Sequence, residues 1–224
     1  MILAAKCAPR EELLAMIAEA GIGAVELWLD GALLHDIDRV AALCARYPLR
    51  YALHAPNDAC DPARLGALAR AVGARIVVLH DIYFDDEWPA LLRAIEEAGA
   101  RPCIENISSI REPMRVMRRY GAGLCLDLEH LQLECAGVYR EEFLNLIARA
   151  EHVHLTGYAP GSDRWHTHLN AGGEHTLGLL DMLREKGYRG MVVSEARTSL
   201  QSPEEFRAVR EFFDRWRDGA EGAE

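Results

Sequence analysis

The sequence predicts an α/β chain closed into one (β/α)8 barrel. Short apolar, β-branched runs recur eight times, of the kind that suits strands buried on both faces of a parallel sheet. Segments with helical spacing lie between them. From the second strand to the fifth, strand starts fall about 26 residues apart, one crossover unit each. Within 224 residues, eight such units leave room for little besides a closed barrel, whose lower size limit is about 200 residues. The rival, an open doubly wound sheet, lacks its dinucleotide fingerprint. Gly21-Ile22-Gly23 follows a helix and precedes a strand, the reverse of the required order.

The first strand is read at 2–5. A helix follows at 11–19, with apolar positions at Leu13, Leu14, Ile17 and Ala18 and a stop at Gly21. Strands at 24–27 and 49–53 come next, then a helix at 61–72 that opens with an N-cap Asp61 and Pro62 in its first turn. The fourth strand, 75–79, leads to a helix at 88–98. The fifth, 102–104, leads to 111–119, and the sixth, 123–126, to 141–150. The seventh, 152–155, leads to 175–186, and the eighth, 191–193, to 203–216. Gly73, Gly99, Gly121 and Gly187 mark helix ends. The barrel is assigned to 1–217, and 218–224 is expected to fray.

Half the chain is apolar and 27% is charged, which supplies a sizeable core and excludes wholesale disorder. A net charge of −10 argues against a protein that grips a nucleic-acid duplex, because such affinity comes from clustered Lys and Arg. The apolar runs are too short to span a bilayer, and the opening residues predict no signal peptide. Cys7, Cys44, Cys60, Cys103, Cys125 and Cys135 are scattered without a C-x-x-C pair, which predicts reduced thiols in a cytoplasmic protein.

In a barrel the chemistry is built at the carboxyl ends of the strands. Here those ends carry metal-binding residues in succession: Glu26, His54, His80, Glu105 with Asn106, Asp127 with His130 just after, His154, and Glu195. The loop after the seventh strand adds His166 and His168. Any one buried carboxylate has an ordinary explanation in a neighbouring Arg or backbone N–H. Several converging in one mouth would repel and protonate, and a divalent cation removes that problem. Glu105, Asp127, His154 and Glu195 form a mixed oxygen and imidazole set suited to Mn, Mg, Co, Fe or Zn. The imidazoles nearby favour zinc, manganese or iron over magnesium.

The strings Ala24-Val-Glu-Leu27, His54-Ala-Pro56, Ile104-Glu-Asn106, Leu126-Asp-Leu-Glu-His130 and Val153-His-Leu155 resemble the strand ends of the xylose-isomerase-like TIM barrels. That superfamily holds sugar isomerases and epimerases together with endonuclease IV-type enzymes. The resemblance implies the same metal quartet, Glu105, Asp127, His154 and Glu195. It implies two chemistries. In the first, a divalent-metal-dependent sugar or sugar-phosphate isomerase or epimerase transfers a proton next to a metal-bound carbonyl. Glu105 and Glu195 would be its catalytic acid and base, and His54, His80, His130 and His168 would hold substrate hydroxyls. In the second, a multinuclear phosphodiester hydrolase places a further cation on His54, His80 and Glu105, and a third on His130 with the loop after the seventh strand. His166-Thr-His168 there departs from the Asp-x-His of the endonuclease IV pattern. One cation per chain fits the first chemistry and two or three fit the second. The acidic balance and short loops favour the isomerase or epimerase, or else a hydrolase of a small phosphodiester.

Glu26 is read either as a substrate-binding residue or as a structural partner of Lys6 or an imidazole. His152 is read as a packed residue behind His154, and His35 and His175 as surface residues. Arg197 and Arg164 are candidates for a substrate phosphate, against the alternative of ordinary salt bridges. Trp28, Trp88 and Trp165 are candidates for an apolar wall, against burial beneath a helix. The expected partner is a small molecule, and a homodimer through the helices is left open.

Overall fold

The computed structural model describes residues 1–58 and 60–221. Eight parallel strands close in sequence order: β1 (Ile2–Cys7), β2 (Ala24–Trp28), β3 (Arg50–His54), β4 (Ile76–Leu79), β5 (Arg101–Glu105), β6 (Gly123–Asp127), β7 (Ala150–Leu155) and β8 (Met191–Ser194). β8 returns to β1 with Ala4 opposite Val193 and Ala5 opposite Ser194. The barrel expected from the sequence is the fold observed.

Strand alternation divides the residues into two cores that pack separately. Leu3, Ala5, Val25, Leu27, Leu53, Val77, Leu79, Ile104, Leu126, Val153 and Val192 point outward and join the large layer under the helices. The alternate positions Ala4, Ala24, Ala52, Met191 and Val193 form one interior group, and Val78, Cys103 and Cys125 form another. Two residues further along each strand, the inward position becomes polar: Lys6, Glu26, His54, His80, Glu105, Asp127 and Glu195. The barrel is therefore an apolar floor of small side chains beneath a polar cup. β7 alone has polar residues at both levels, the buried His152 and His154.

Nine helices stand outside among the described residues: α1 (Glu11–Glu19), α2 (Ile37–Cys44), α3 (Pro62–Val72), α4 (Trp88–Glu97), α5 (Arg111–Tyr120), α6 (Leu128–Cys135), α7 (Arg140–Ile147), α8 (Gly173–Glu185) and α9 (Pro203–Glu221). α3 has the expected boundaries, with the Asp61 side chain accepting from the Arg64 N–H at 3.1 Å and Gly73 in the left-handed region. α2 and α6 were not anticipated. α2 is short and Asp36 makes no side-chain cap. α6 buries Glu129 and Gln132 beside its leucines, so it shows no clean apolar stripe. α9 continues to Glu221, past the start of the expected tail, and 222–224 lie outside the described residues.

α3 and α4 meet at Gly66, where an added Cβ would lie 2.5 Å from the Ala94 carbonyl oxygen. Because the obstacle is backbone, Gly66→Ala is expected to destabilise the fold by about 1–3 kcal/mol, read from denaturant midpoints. No helix among the described residues is long and apolar enough to cross a membrane.

Candidate metal centre

The cup draws its donors from neighbouring strand ends whose register sets them level, with Lys6 opposite Glu26 and Asp127 opposite His154. Single donor atoms of Glu105, Asp127, His154 and Glu195 all lie within 4.8 Å of one another. His154 Nδ1 is 2.8 Å from Glu195 Oε2, 3.5 Å from Glu105 Oε1 and 3.7 Å from Asp127 Oδ2. Yet His154 Nδ1, Asp127 Oδ2 and Glu195 Oε2 are buried atoms without a hydrogen-bond partner. Buried polar atoms normally find partners, so three unpartnered donors converging on one space fit a cation they would share.

Each donor is held from behind. Asp127 ends β6 and caps α6: its Oδ1 accepts the His130 N–H at 2.7 Å, which leaves Oδ2 for the cup. Asn106 fixes the same residue by accepting the Asp127 N–H at 2.9 Å and donating to its carbonyl at 3.0 Å. Glu105 Oε2 is contacted by His54 Nε2 at 3.0 Å and His80 Nε2 at 3.3 Å. Lys6 Nζ donates to Glu195 Oε1 at 2.8 Å and lies 3.5 Å from Glu26 Oε1. Glu26 Oε2 accepts from His152 Nε2 at 2.7 Å and His154 Nε2 at 3.0 Å.

The electrostatics follow from this packing. Burial opposes ionisation of Glu105, but the charge of His154 and hydrogen bonds from the surrounding imidazoles hold its carboxyl well below the usual range. Burial likewise opposes the charge on Glu195, and Lys6 and His154 outweigh it. The Lys6 ammonium is disfavoured by burial yet held charged by Glu195, Glu26 and Glu105. Burial opposes the charge on His154, and the carboxylates of Glu26, Glu105 and Glu195 outweigh it and raise it well above its ordinary value. A cation held in the cup would therefore replace a proton on Nδ1.

The other residues singled out by sequence divide into those at the cup and those turned away. His54 and His80 form a second group of potential ligands with Glu105, which the two groups share. His130 stands at the rim, its Nδ1 2.9 Å from the Asn106 carbonyl and 3.6 Å from Glu105 Oε1. His166 is beside it, ring centroids 6.0 Å apart, with a left-handed backbone (φ 46°). His168 is not at the cup. Its Nδ1 pairs with Ser194 Oγ at 3.0 Å, its Nε2 with the Leu200 carbonyl at 3.1 Å, and its ring packs on Phe206. Among the described residues, no group of three potential ligands includes His130, His166 or His168.

Glu26 is fully buried, with Lys6, His152 and His154 as its partners. His152 is packed there with it. Arg197 is exposed near the mouth and donates to the Trp165 carbonyl, while the Arg164 side chain is exposed. Trp28 and Trp165 are half-exposed, but Trp88 is buried against Tyr83 and Tyr120. His35 is exposed, whereas His175 is half-buried and pairs with Gln132 Oε1 at 2.6 Å.

Glu129 was missed by the sequence reading, although it lies within the quoted Leu126–His130 string. It is buried, and it accepts from the Thr156 hydroxyl and from the His166 N–H at 3.1 Å, fixing the loop after β7. Cys125, read from the sequence as one of the scattered thiols, forms a deeper group with His152 and His154, and burial pushes its thiol up to about 12.

His168→Ala is expected to leave the metal content of the protein unchanged. It would cost about 1–3 kcal/mol of stability through the unpaired Ser194 and Leu200 groups. Elemental analysis beside a urea titration checks both halves.

A family profile described as xylose isomerase-like TIM barrel matches residues 14–216. The chain belongs to this family. The xylose isomerase-like barrel also superimposes on solved structures of low sequence identity. A D-tagatose 3-epimerase-like protein has TM-score 0.70 at 18% identity, covering 100% of this chain and 99% of that one. A D-allulose 3-epimerase from Methylomonas sp. in complex with D-allulose has TM-score 0.70 at 15% identity, covering 96% of each chain. A xylose isomerase domain protein from Planctomyces limnophilus has TM-score 0.68 at 12% identity, covering 98% of this chain and 96% of that one. No curated protein sequence matches the chain. At these identities the superpositions establish the fold.

Proposed function

We propose that the protein is a divalent-metal-dependent isomerase or epimerase of a small sugar or sugar phosphate. One observation carries this reading: two carboxylates, Glu105 and Glu195, meet Asp127 and His154 in a single group of potential ligands, three of which present a buried atom without a hydrogen-bond partner. The fold likeness to a D-tagatose 3-epimerase-like protein and to a D-allulose 3-epimerase solved with D-allulose supports the substrate class. The donors suit Mn, Fe, Co or Zn. A cation held by these four residues would polarise a substrate carbonyl and favour loss of the neighbouring proton.

The chain supplies the proton transfer and the orientation. Lys6 donates to Glu195 Oε1 and helps keep the carboxylate charged, and Glu195 is assigned to take a proton from carbon. Glu105, gripped at Oε2 by His54 and His80, turns Oε1 to the same space and is assigned to return a proton from another wall. For inversion, the proton taken by Glu195 passes to Glu105 and returns to the opposite face of the same carbon. For isomerisation, Glu195 returns it to the adjacent carbon while the hydroxyl proton crosses between the two substrate oxygens. Either route ends with both carboxylates ionised, as it began. His130 and His166 are assigned to substrate hydroxyls. Arg197 lines a cavity of about 140 Å³ with Lys6, Trp28, Glu195, Thr198 and Gln201, and is assigned to a phosphate or a terminal hydroxyl. The six free cysteines are consistent with a cytoplasmic setting.

A second reading, hydrolysis of a small phosphodiester, is favoured by the His54, His80 and Glu105 group, which would take a second cation. The Mn2+-loaded protein is expected to exchange deuterium from D2O into a ketose or ketose phosphate beside its carbonyl, followed by NMR. No exchange across such a panel, with release of nitrophenol from bis(p-nitrophenyl) phosphate, would decide for hydrolysis.

A further inference from the structure

Glu26 has no contact with the cup's open side, yet it meets one of the cup's donors from below. Its Oε2 lies 3.0 Å from His154 Nε2 and 2.7 Å from His152 Nε2, and the carboxyl group is fully enclosed. An ionised carboxylate can only accept, so both Nε2 atoms carry their hydrogens toward it. Lys6, 3.5 Å from Oε1 and opposite Glu26 in register, supplies the compensating charge. That leaves His154 one free ring nitrogen, Nδ1, and this is the atom that faces Glu105, Asp127 and Glu195 without a hydrogen-bond partner. The opposite tautomer would direct an N–H into the cup and leave two lone pairs facing each other at Nε2 and Oε2.

We propose that Glu26 is a positioning residue that fixes His154 as its Nε2–H tautomer and so presents Nδ1 as a cation ligand. This rests on the reading of the cup as a metal centre. His152, whose ring stands at 77° to that of His154, pins the same carboxylate oxygen and makes no contact with the quartet's carboxylates. The strand that carries Glu26 thus acts on the cup through β7.

Zn2+ titrations and 15N NMR of the full-length protein test this. In Zn2+-loaded wild type, long-range 1H–15N correlations are expected to show His154 protonated at Nε2 and coordinated at Nδ1, a readout that needs no variant. Glu26→Gln offers one carbonyl oxygen where two imidazoles now donate, and is expected to weaken Zn2+ binding by about 10–100-fold. Glu26→Asp, which keeps the charge, is expected to retain more affinity than the amide. Zn2+ on His154 Nε2, or a Glu26→Gln variant that folds and binds Zn2+ as tightly as wild type, overturns the proposal and leaves the metal centre standing. A wild type that takes up no Zn2+, or a His154→Ala variant with undiminished affinity, overturns both.

Discussion

Glu105→Gln is expected to abolish turnover and to empty both groups of donors at once. Glu105 belongs to the quartet through Oε1 and to the His54 and His80 group through Oε2. The amide keeps the shape but removes the negative charge and replaces one acceptor by a donor facing imidazole nitrogens. Loss of a general acid or base alone costs about 10²–10⁴-fold in rate. Loss of a ligand shared by both groups adds to that, so activity should fall to background and metal content should drop in elemental analysis. His80→Ala is the informative partner, because His80 touches only one of the two groups. A protein that keeps its full metal content without Glu105 would refute the proposed centre.

Removal of the cation should also be visible in stability. A ligand that binds only the folded state at 1,000 times its dissociation constant stabilises it by about 4 kcal/mol. For a chain of this size each kcal/mol moves Tm by about 2–4 °C, so chelation is expected to lower Tm by roughly 8–16 °C. The direction is fixed by the cup. Without a cation, Asp127 Oδ2, His154 Nδ1 and Glu195 Oε2 stay buried without a hydrogen-bond partner, and the carboxylates keep only Lys6 and the imidazoles to offset their charge. A thermal scan before and after EDTA, with Mn2+ or Zn2+ added back, measures the shift. A Tm indifferent to chelator would argue that these atoms are satisfied in another way.

The barrel and most of its cup were legible because both follow from period-two alternation. Every strand but β7 carries an apolar inward residue and then, two positions later, a polar one, as in Cys103 and Glu105 or Cys125 and Asp127. That pattern reports which side chains share an interior and at what height. It says nothing once the strand has ended. His168 follows β7 by thirteen positions, along a path set by Glu129 gripping the His166 N–H and by Ser194 capturing the imidazole, neither of which spacing reveals. α6 was hidden for a related reason. Its inward face is partly polar, with Glu129 serving a neighbouring loop and Gln132 donating to the Leu128 carbonyl and accepting from His175. The alternatives kept open for Glu26 could be separated only by partners on β1 and β7, far away in sequence.

The two oxygens of Asp127 answer to different masters, one to the first turn of α6 and one to the cup. A tilt of that helix therefore drags a prospective ligand with it, and occupancy of the centre would in turn brace the helix. Asparagine at this position would preserve the brace while discarding the anionic oxygen. Asp127→Asn thereby offers a way to uncouple scaffold from chemistry that truncation to alanine, which breaks both, does not.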